Sequence, residues 1–190
     1  MNAPAGVRRA ARAALLARRR KARQNPSVLD PHERNMRYAL REAERAAEAG
    51  EVPVGCVIVH EGQLIAKGHN QRETLQDPTA HAEVLAITAA AEALGSWRLE
   101  GAQMYVTLEP CPMCAGAIIL ARVAEVYFGA RDPKAGCAGS LMNLLDDPRF
   151  NHRPAVYEGL LEEECGGVLT DFFRAVRARQ RAAGNGGEPA

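Results

Sequence analysis

One histidine and two cysteines near the middle of the chain have the chemistry of zinc ligands. His81 and Glu83 are separated by one residue, and Cys111 and Cys114 form a C-P-M-C segment further along the chain. Imidazole and thiolate groups are typical zinc ligands, and three of them leave one position of a tetrahedral ion open for water. The carboxylate of Glu83 could carry a proton to and from that water. The pattern therefore indicates hydrolytic chemistry at a zinc ion.

The predicted helices place these residues near helix N-termini. Pro112 suits the first turn of a helix predicted over residues 112–121, which leaves Cys111 at a position resembling an N-cap. The positive end of the helix dipole there stabilises thiolates and lowers the pKa of cysteine. Thr79 is predicted to cap a second helix over residues 80–94, with His81 in its first turn. Two such helix starts, facing each other, could present three ligands to one ion.

Each of these residues alone has an ordinary structural explanation. A histidine near a helix start is usually a surface or capping residue, and a C-x-x-C pair is often structural zinc or redox-active. Glu83 could also be a fourth ligand, but a closed shell would leave no position for a reacting water. Together the residues satisfy H-x-E…P-C-x-x-C, the signature of zinc-dependent nucleobase deaminases, in which the glutamate moves protons. We therefore favour a catalytic zinc site over a structural one.

The predicted elements alternate between helices and strands. Helices are predicted at 32–49, 80–94 and 112–121, helical segments at 161–165 and 168–181, and strands at 52–59, 63–68, 104–108, 123–128 and 155–158. The first two strands flank Glu61-Gly62 and should pair as an antiparallel hairpin. A loop is predicted over 69–78, and another over 129–152 with one helical turn near 141–145. The alternation predicts an α/β fold, with helices covering both faces of a sheet.

Composition suggests one globular domain with a basic extension. The chain has 190 residues, 47% of them hydrophobic, and a net charge of +1. Residues 1–29 contain eight Lys and Arg side chains and no acidic one, so the rest of the chain carries −7. We predict a disordered Arg-rich extension over 1–29, a zinc-dependent deaminase domain over 30–183 and a disordered tail over 184–190. A nucleic-acid arm and a transit peptide remain alternatives for the extension.

The cysteines indicate a reducing compartment, and the hydropathy indicates no membrane span. Five cysteines are an odd number for a disulfide framework, and outside the C-P-M-C segment they are scattered. No segment approaches the ~18 apolar residues that a membrane span requires. We therefore expect a cytoplasmic protein without a membrane partner.

From about residue 30 to about residue 177, the chain resembles the bacterial tRNA-specific adenosine deaminases. These enzymes convert adenosine to inosine at the wobble position of an anticodon. The shared segments extend beyond the metal motif and are EVPVG (51–55), GHN (68–70), DPTAHAE (77–83), YVTLEPC (105–111), FGARD (128–132), GSLMN (139–143), NHR (151–153) and DFFR (171–174). The segments after the cysteines matter most, because the metal motif is common to the whole cytidine deaminase superfamily.

The resemblance implies a fold, a cofactor and an assembly. It implies a three-layer α/β/α fold with a five-stranded mixed sheet, and a homodimer. One zinc ion per subunit would be bound by His81, Cys111 and Cys114, with Glu83 as the catalytic proton carrier. No organic cofactor is expected.

The resemblance also implies how tRNA is bound. Asn70 would contact the base or its ribose, and Ala82 would belong to the substrate-binding residues. Asp132 would lie in a loop beside the nucleotides that flank the target. Phe173 and Arg174, with Phe172, would open the last helix and hold the anticodon loop. Seven basic side chains are candidates for phosphate contact, namely Arg131, Lys134, Arg149, Arg153, Arg174, Arg177 and Arg181.

Two other functions compete with this interpretation. A guanine deaminase of the same superfamily would also suit the C-P-M-C and H-A-E-V segments, but it has no need of a basic last helix. A zinc-stabilised RNA-binding subunit without activity would have no use for Glu83.

Overall fold

A computed structural model describes residues 30–182 of the chain. The disorder predicted for 1–29 and 184–190, and the exact end of the predicted domain, lie outside the described residues. The helices are α1 (Pro31–Glu48), α2 (Arg72–Leu75), α3 (Ala82–Leu94), α4 (Pro112–Leu120) and α5 (Glu162–Ala182), and the strands are β1 (Gly55–His60), β2 (Gln63–His69), β3 (Gln103–Leu108), β4 (Glu125–Ala130) and β5 (Ala155–Tyr157).

The strands form one five-stranded mixed sheet. Its order is β2-β1-β3-β4-β5. β1 pairs antiparallel with β2 and with β3, whereas β3, β4 and β5 run parallel to one another. The parallel strands all end at the same edge, which is where ligand sites form in open α/β sheets. The predicted hairpin and mixed sheet are confirmed.

Alternating side chains divide the core between the two faces of the sheet. Cys56 and Ile58 of β1 pack with α3 and α4, whereas Val57 and Val59 pack with α1 and α5. Successive strand residues point to opposite faces, so a sheet with two apolar faces needs a helical layer on each. This confirms the predicted three-layer α/β/α fold. Among residues 30–182, no helix is long and apolar enough to cross a membrane.

The predicted start of α3 is wrong by two residues. Thr79 does not cap the helix, because its backbone N–H and its hydroxyl both donate to the Asp77 carboxylate at 2.7 Å. His81 has an extended backbone, with φ −78° and ψ 151°, and is the N-cap. The turn that begins at Asp77 therefore delays the helix and leaves His81 at its entrance.

The predicted division of the last helix is also wrong. α5 continues through Gly166 and Gly167 to Ala182. Leu160 and Cys165 are buried against the sheet, and such packing offsets the roughly 1 kcal/mol by which each glycine disfavours a helix.

Two loop predictions also require correction. The predicted loop over 69–78 contains the short helix α2. Residues 141–145 form no helical turn; instead an isolated bridge joins Ala138 to Asn143. Hydrogen bonds to neighbouring segments, rather than local helix propensity, determine the path of these loops.

Candidate active site

Three side chains at helix N-termini converge beyond the carboxyl end of β3. His81 is the N-cap of α3, Cys111 is the N-cap of α4, and Cys114 lies in the first turn of α4. His81 Nδ1 is 3.7 Å from Cys111 Sγ and 3.5 Å from Cys114 Sγ, and the three donor atoms lie within 4.8 Å of one another. Tetrahedral zinc with ordinary bond lengths would separate a nitrogen and a sulfur ligand by about 3.6 Å. The donor set therefore fits a zinc ion through Nδ1 without rearrangement.

Close packing of α3 on β2 holds the histidine in place. A Cβ atom at Gly68 would lie 2.3 Å from the Ala82 carbonyl oxygen, so only glycine lets the first turn of α3 lie on the strand. Ala82 is fully buried there. On the other side, the His81 backbone N–H donates to the Thr79 carbonyl at 2.7 Å. The backbone on both sides of the imidazole is thus fixed.

The pKa values of the two thiols move in opposite directions. The hydrogen bond with Cys114, helped by one with His81, lowers the pKa of Cys111 to about 4. The same bond and burial raise the pKa of Cys114. Cys111 is therefore readily ionised, and a cation in the site would favour the thiolate form of both residues.

Glu83 is a buried acid in the first turn of α3. Its side chain is 4% exposed. Burial, reinforced by the charge of Cys111, raises the pKa of Glu83 to about 7, against the lowering effect of its own backbone N–H and of His81. A group that titrates near neutral pH can both accept and donate a proton, as general acid–base catalysis requires.

Three of these residues line a pocket. His81, Glu83 and Cys111 line it, and Cys114 is buried beside them. The remaining lining residues are Val52, Val54, Asn70, Arg72, Ala82, Leu108, Glu109, Asp132 and Ala135. The pocket thus combines apolar walls with a few polar groups, as small-molecule sites do.

Asn70 is held at one wall of the pocket by a buried carboxylate. Its side chain is 5% exposed, and its Nδ2 donates to Glu51 Oε2 at 3.1 Å. Glu51 is 1% exposed and also accepts from the Thr74 backbone N–H at 2.7 Å. Burial alone would raise the pKa of Glu51, but the hydrogen bonds with Thr74 lower it below its ordinary value. Sequence reasoning missed this function of Glu51, although the residue lies in the shared EVPVG segment.

A second buried carboxylate supports the opposite wall. Glu109 is 2% exposed and accepts a hydrogen bond from the backbone N–H of Asp132 at 3.0 Å. Asp132 lines the pocket together with Ala135, and its predicted contact with flanking nucleotides stays a prediction. Glu109 was not among the predicted site residues. Its position directly before the Pro110-Cys111 pair was the one available signal.

Two predicted substrate-binding residues lie apart from the pocket. Phe173 and Arg174 are not among its lining residues, and they lie in the middle of α5 rather than at its start. Phe173 is 41% exposed and contacts Phe172 edge-on, with ring centroids 5.5 Å apart. The structure therefore brings Asn70, Ala82 and Asp132 together with the metal site and leaves these two on the outer surface of α5.

Several predicted phosphate contacts are engaged in ion pairs. The pairs are Arg131–Glu158, Arg149–Asp147, Arg153–Asp146 and Arg174–Asp171. Exposed pairs of this kind contribute at most about 1 kcal/mol, so a phosphate can compete for such a cation. Lys134, Arg177 and Arg181 are exposed.

Comparison with a family model identifies the central part of the chain. Residues 29–130 match the cytidine and deoxycytidylate deaminase zinc-binding region. The matched segment contains all three donor residues and Glu83.

Comparisons with individual proteins extend the likeness over most of the chain. The tRNA-specific adenosine deaminase of Bacillus subtilis is 60% identical over 148 residues, which are 78% of this chain and 92% of the relative. A solved structure from a study of A-to-I editing by tRNA:A34 deaminases at the wobble position of transfer RNA is 48% identical. It superposes with a TM-score of 0.70 over 72% of this chain and 99% of its own. Guanine deaminase of Bacillus subtilis is 36% identical, with a TM-score of 0.52 over 77% of this chain and 94% of its own.

Proposed function

The chain belongs to the tRNA-specific adenosine deaminases, and we propose that it converts adenosine to inosine at the wobble position of a tRNA anticodon. The observation that carries this proposal is the pocket with a zinc donor set and a buried glutamate, in a chain 60% identical to a tRNA-specific adenosine deaminase. The reaction consumes water and releases ammonia.

The zinc site would be formed by His81 Nδ1 and the thiolates of Cys111 and Cys114. When bound, the zinc supplies the Lewis acidity that makes a water molecule nucleophilic near neutral pH. The chain's contribution is a donor set held at two helix N-termini, where thiolates are stabilised. Glu83 remains free for proton transfer, because three protein ligands leave the metal shell open.

Glu83 would carry protons during the reaction. It accepts a proton from the attacking water and delivers it to N1 of the adenine ring, while oxygen bonds to C6. It then transfers the second proton to the departing amine, so that ammonia leaves and the carbonyl of inosine forms. Burial in the pocket raises its pKa towards neutral, which suits a group that must both accept and donate a proton.

The pocket would receive an adenine that is turned out of the anticodon loop. Anticodon bases are unpaired, so turning one out costs less than it would in a duplex. Asn70 would hydrogen-bond to the base or its ribose, and Ala82 would pack against it. Val52, Val54 and Leu108 offer apolar surface to the ring.

The surroundings of the pocket would bind the rest of the loop. Asp132 lies at the pocket wall, where the flanking nucleotides would pass. Phe173 could stack on a base, and Arg174 could contact a phosphate after exchanging its partner Asp171. Binding of the anticodon loop should therefore depend on a local cationic surface of α5.

We further propose that the protein is a cytoplasmic homodimer. The five cysteines are free thiols, as expected in a reducing compartment.

The proposed dimer rests on exposed apolar side chains. Leu120 is 72% accessible at the end of α4, and Trp97 is 62% accessible. Their segments are joined by a hydrogen bond from the Leu99 N–H to the Ala121 carbonyl at 2.7 Å. Light scattering should give the mass of two chains, and Leu120→Arg should shift it towards one.

The deamination itself is tested with a synthetic anticodon stem-loop. Purified zinc-loaded protein is incubated with a stem-loop that carries adenosine at the wobble position and, separately, with guanine. Inosine should form in the stem-loop while guanine remains unchanged. Conversion of guanine to xanthine with an intact stem-loop would contradict the proposal.

A further inference from the structure

Part of the pocket lining is a loop that is hydrogen-bonded to one buried side chain. Residues 131–140 connect β4 to the rest of the chain, and within them the structure describes one isolated bridge residue, Ala138, and no helix or longer strand. Yet Asp132 and Ala135 of this loop line the pocket. Their positions must therefore be fixed by contacts outside ordinary secondary structure.

Four of those contacts converge on the carboxylate of Glu109. Its Oε1 accepts from the backbone N–H groups of Ala138 at 2.9 Å and Ser140 at 3.0 Å. Its Oε2 accepts from the N–H of Asp132 at 3.0 Å and from the Ser140 hydroxyl. Four donors from three loop residues thus meet one buried carboxylate, and charged acceptors form hydrogen bonds roughly twice as strong as neutral ones.

The loop is also packed tightly against this carboxylate. A Cβ atom at Gly136 would lie 2.3 Å from Glu109 Oε2 and 2.5 Å from the Asp132 carbonyl oxygen. The Cys137 N–H donates to the Pro110 carbonyl at 2.8 Å, which ties the loop to the segment that carries Cys111. The loop therefore packs closely around Glu109, and loss of the carboxylate should displace the loop.

We propose that Glu109 is a positioning residue for RNA deamination. It holds the 131–140 loop at the mouth of the pocket and thereby sets the position of Asp132 beside the nucleotides that flank the target. This role in RNA deamination rests on the proposed function. The hydrogen bonds between Glu109 and the 131–140 loop are observed independently of that function. Glu109 lines the pocket but is neither a proposed zinc ligand nor the proposed proton carrier, so its loss should weaken RNA binding more than the chemical step.

Three variants separate this role from a general effect on folding. Glu109→Gln keeps the shape but replaces one acceptor oxygen with a donor. Ser140→Ala and Gly136→Ala disturb the same cluster from the loop side, away from the metal-binding segment. Glu42→Gln is the matched control, because Glu42 is also a buried glutamate, 3% exposed, but it pairs with Arg45 and His69, none of which lines the pocket.

The readouts are KM and kcat on the stem-loop, zinc per chain, and amide hydrogen exchange of residues 131–140. For Glu109→Gln and Gly136→Ala we expect KM to rise about tenfold with kcat within about twofold, and for Ser140→Ala a rise of about threefold. Zinc should stay at one per chain, and exchange in 131–140 should accelerate. Glu42→Gln should change neither KM nor this exchange.

Different outcomes overturn different claims. Unchanged KM in all three variants, with an active wild type, would overturn the positioning role alone. A loss of zinc from Glu109→Gln with unchanged KM in the loop-side variants would show that Glu109 supports the metal segment instead. If the wild type makes no inosine, the proposed function fails, and hydrogen exchange still reports whether Glu109 holds the loop.

Discussion

The floor and the rim of the pocket are constructed in different ways. The floor consists of His81, Glu83, Cys111 and Cys114, and the rim consists of Glu51, Asn70, Glu109 and the 131–140 loop. Every floor residue is an N-cap or lies in the first turn of α3 or α4, so the helices fix its position directly. The rim residues lie in loops and at the ends of strands, and buried carboxylates hold them.

This difference assigns the chemistry and the substrate choice to separate parts of the molecule. The floor can provide a zinc site and a proton carrier for any nucleobase deaminase, since its motif is common to the superfamily. We propose that the rim determines which base enters and which nucleotides lie beside it. Changes in the floor should therefore abolish turnover, whereas changes in the rim should weaken or redirect RNA binding.

The largest expected effect is that of Glu83→Gln. The amide preserves the shape of the side chain but cannot accept the proton of water, so turnover of the stem-loop should fall by about 10⁴-fold. Zinc content, measured by inductively coupled plasma mass spectrometry, should remain at one ion per chain. Substantial turnover in a zinc-loaded Glu83→Gln variant would remove Glu83 from the mechanism.

Removal of a zinc-binding side chain should reduce stability as well as activity. Cys114→Ala should lose most of its zinc and, with it, about 4 kcal/mol of stabilisation, which corresponds to a fall in Tm of about 10 °C. Cys165→Ala is the matched control, because Cys165 is also a buried free thiol but lies on α5. A full zinc complement in Cys114→Ala would contradict the ligand assignment, and zinc loss from the control would show a nonspecific effect.

A rim substitution should have an intermediate effect. Asn70→Ala removes the amide from the pocket wall and leaves Glu51 Oε2 without that donor, so kcat/KM on the stem-loop should fall by about 30-fold, or about 2 kcal/mol. Zinc content should not change. An activity equal to that of the wild type would show that Asn70 does not contact the substrate.

A smaller effect is expected on the outer surface of α5. Arg174→Ala should raise KM a few-fold and reduce the slope of log KM against log salt by about one unit. Arg41→Ala is the control, because Arg41 is also exposed but lies on α1, over the ring of Tyr38. Equal effects in the two variants would argue against a specific RNA contact at α5.

The smallest effect concerns the pH dependence of stability. Because the pKa of Glu51 is lowered in the folded protein, its contribution to stability is complete above its unfolded value and is lost as pH falls through the folded pKa. Glu51→Gln should therefore show a shallower decline of Tm between about pH 5 and pH 3 than the wild type. Parallel Tm profiles for the two proteins would exclude this contribution.

The contrast between floor and rim also explains what could be predicted from sequence. The floor was predictable because ligand chemistry, helix-start residues and short spacing coincide in two segments. The strands were predictable because runs of β-branched residues alternate in the sequence with segments of helical periodicity.

The rest depends on contacts between distant segments. Glu51 and Glu109 resemble ordinary surface acids in the sequence, and their burial follows from backbone N–H groups up to 31 residues away. The continuity of α5 through Gly166 and Gly167 depends on packing against the sheet, which local propensity does not reveal.

The position of deamination within the anticodon loop tests the account most directly. Two stem-loops are compared that differ only in whether the single loop adenosine occupies the wobble position or the neighbouring one, and inosine is mapped by mass spectrometry after nuclease digestion. We predict conversion at the wobble position at least about tenfold faster than at its neighbour, because the rim fixes the flanking nucleotides. Equal conversion at both positions, or none at either, would contradict the central claim that this pocket is constructed to deaminate the wobble adenosine.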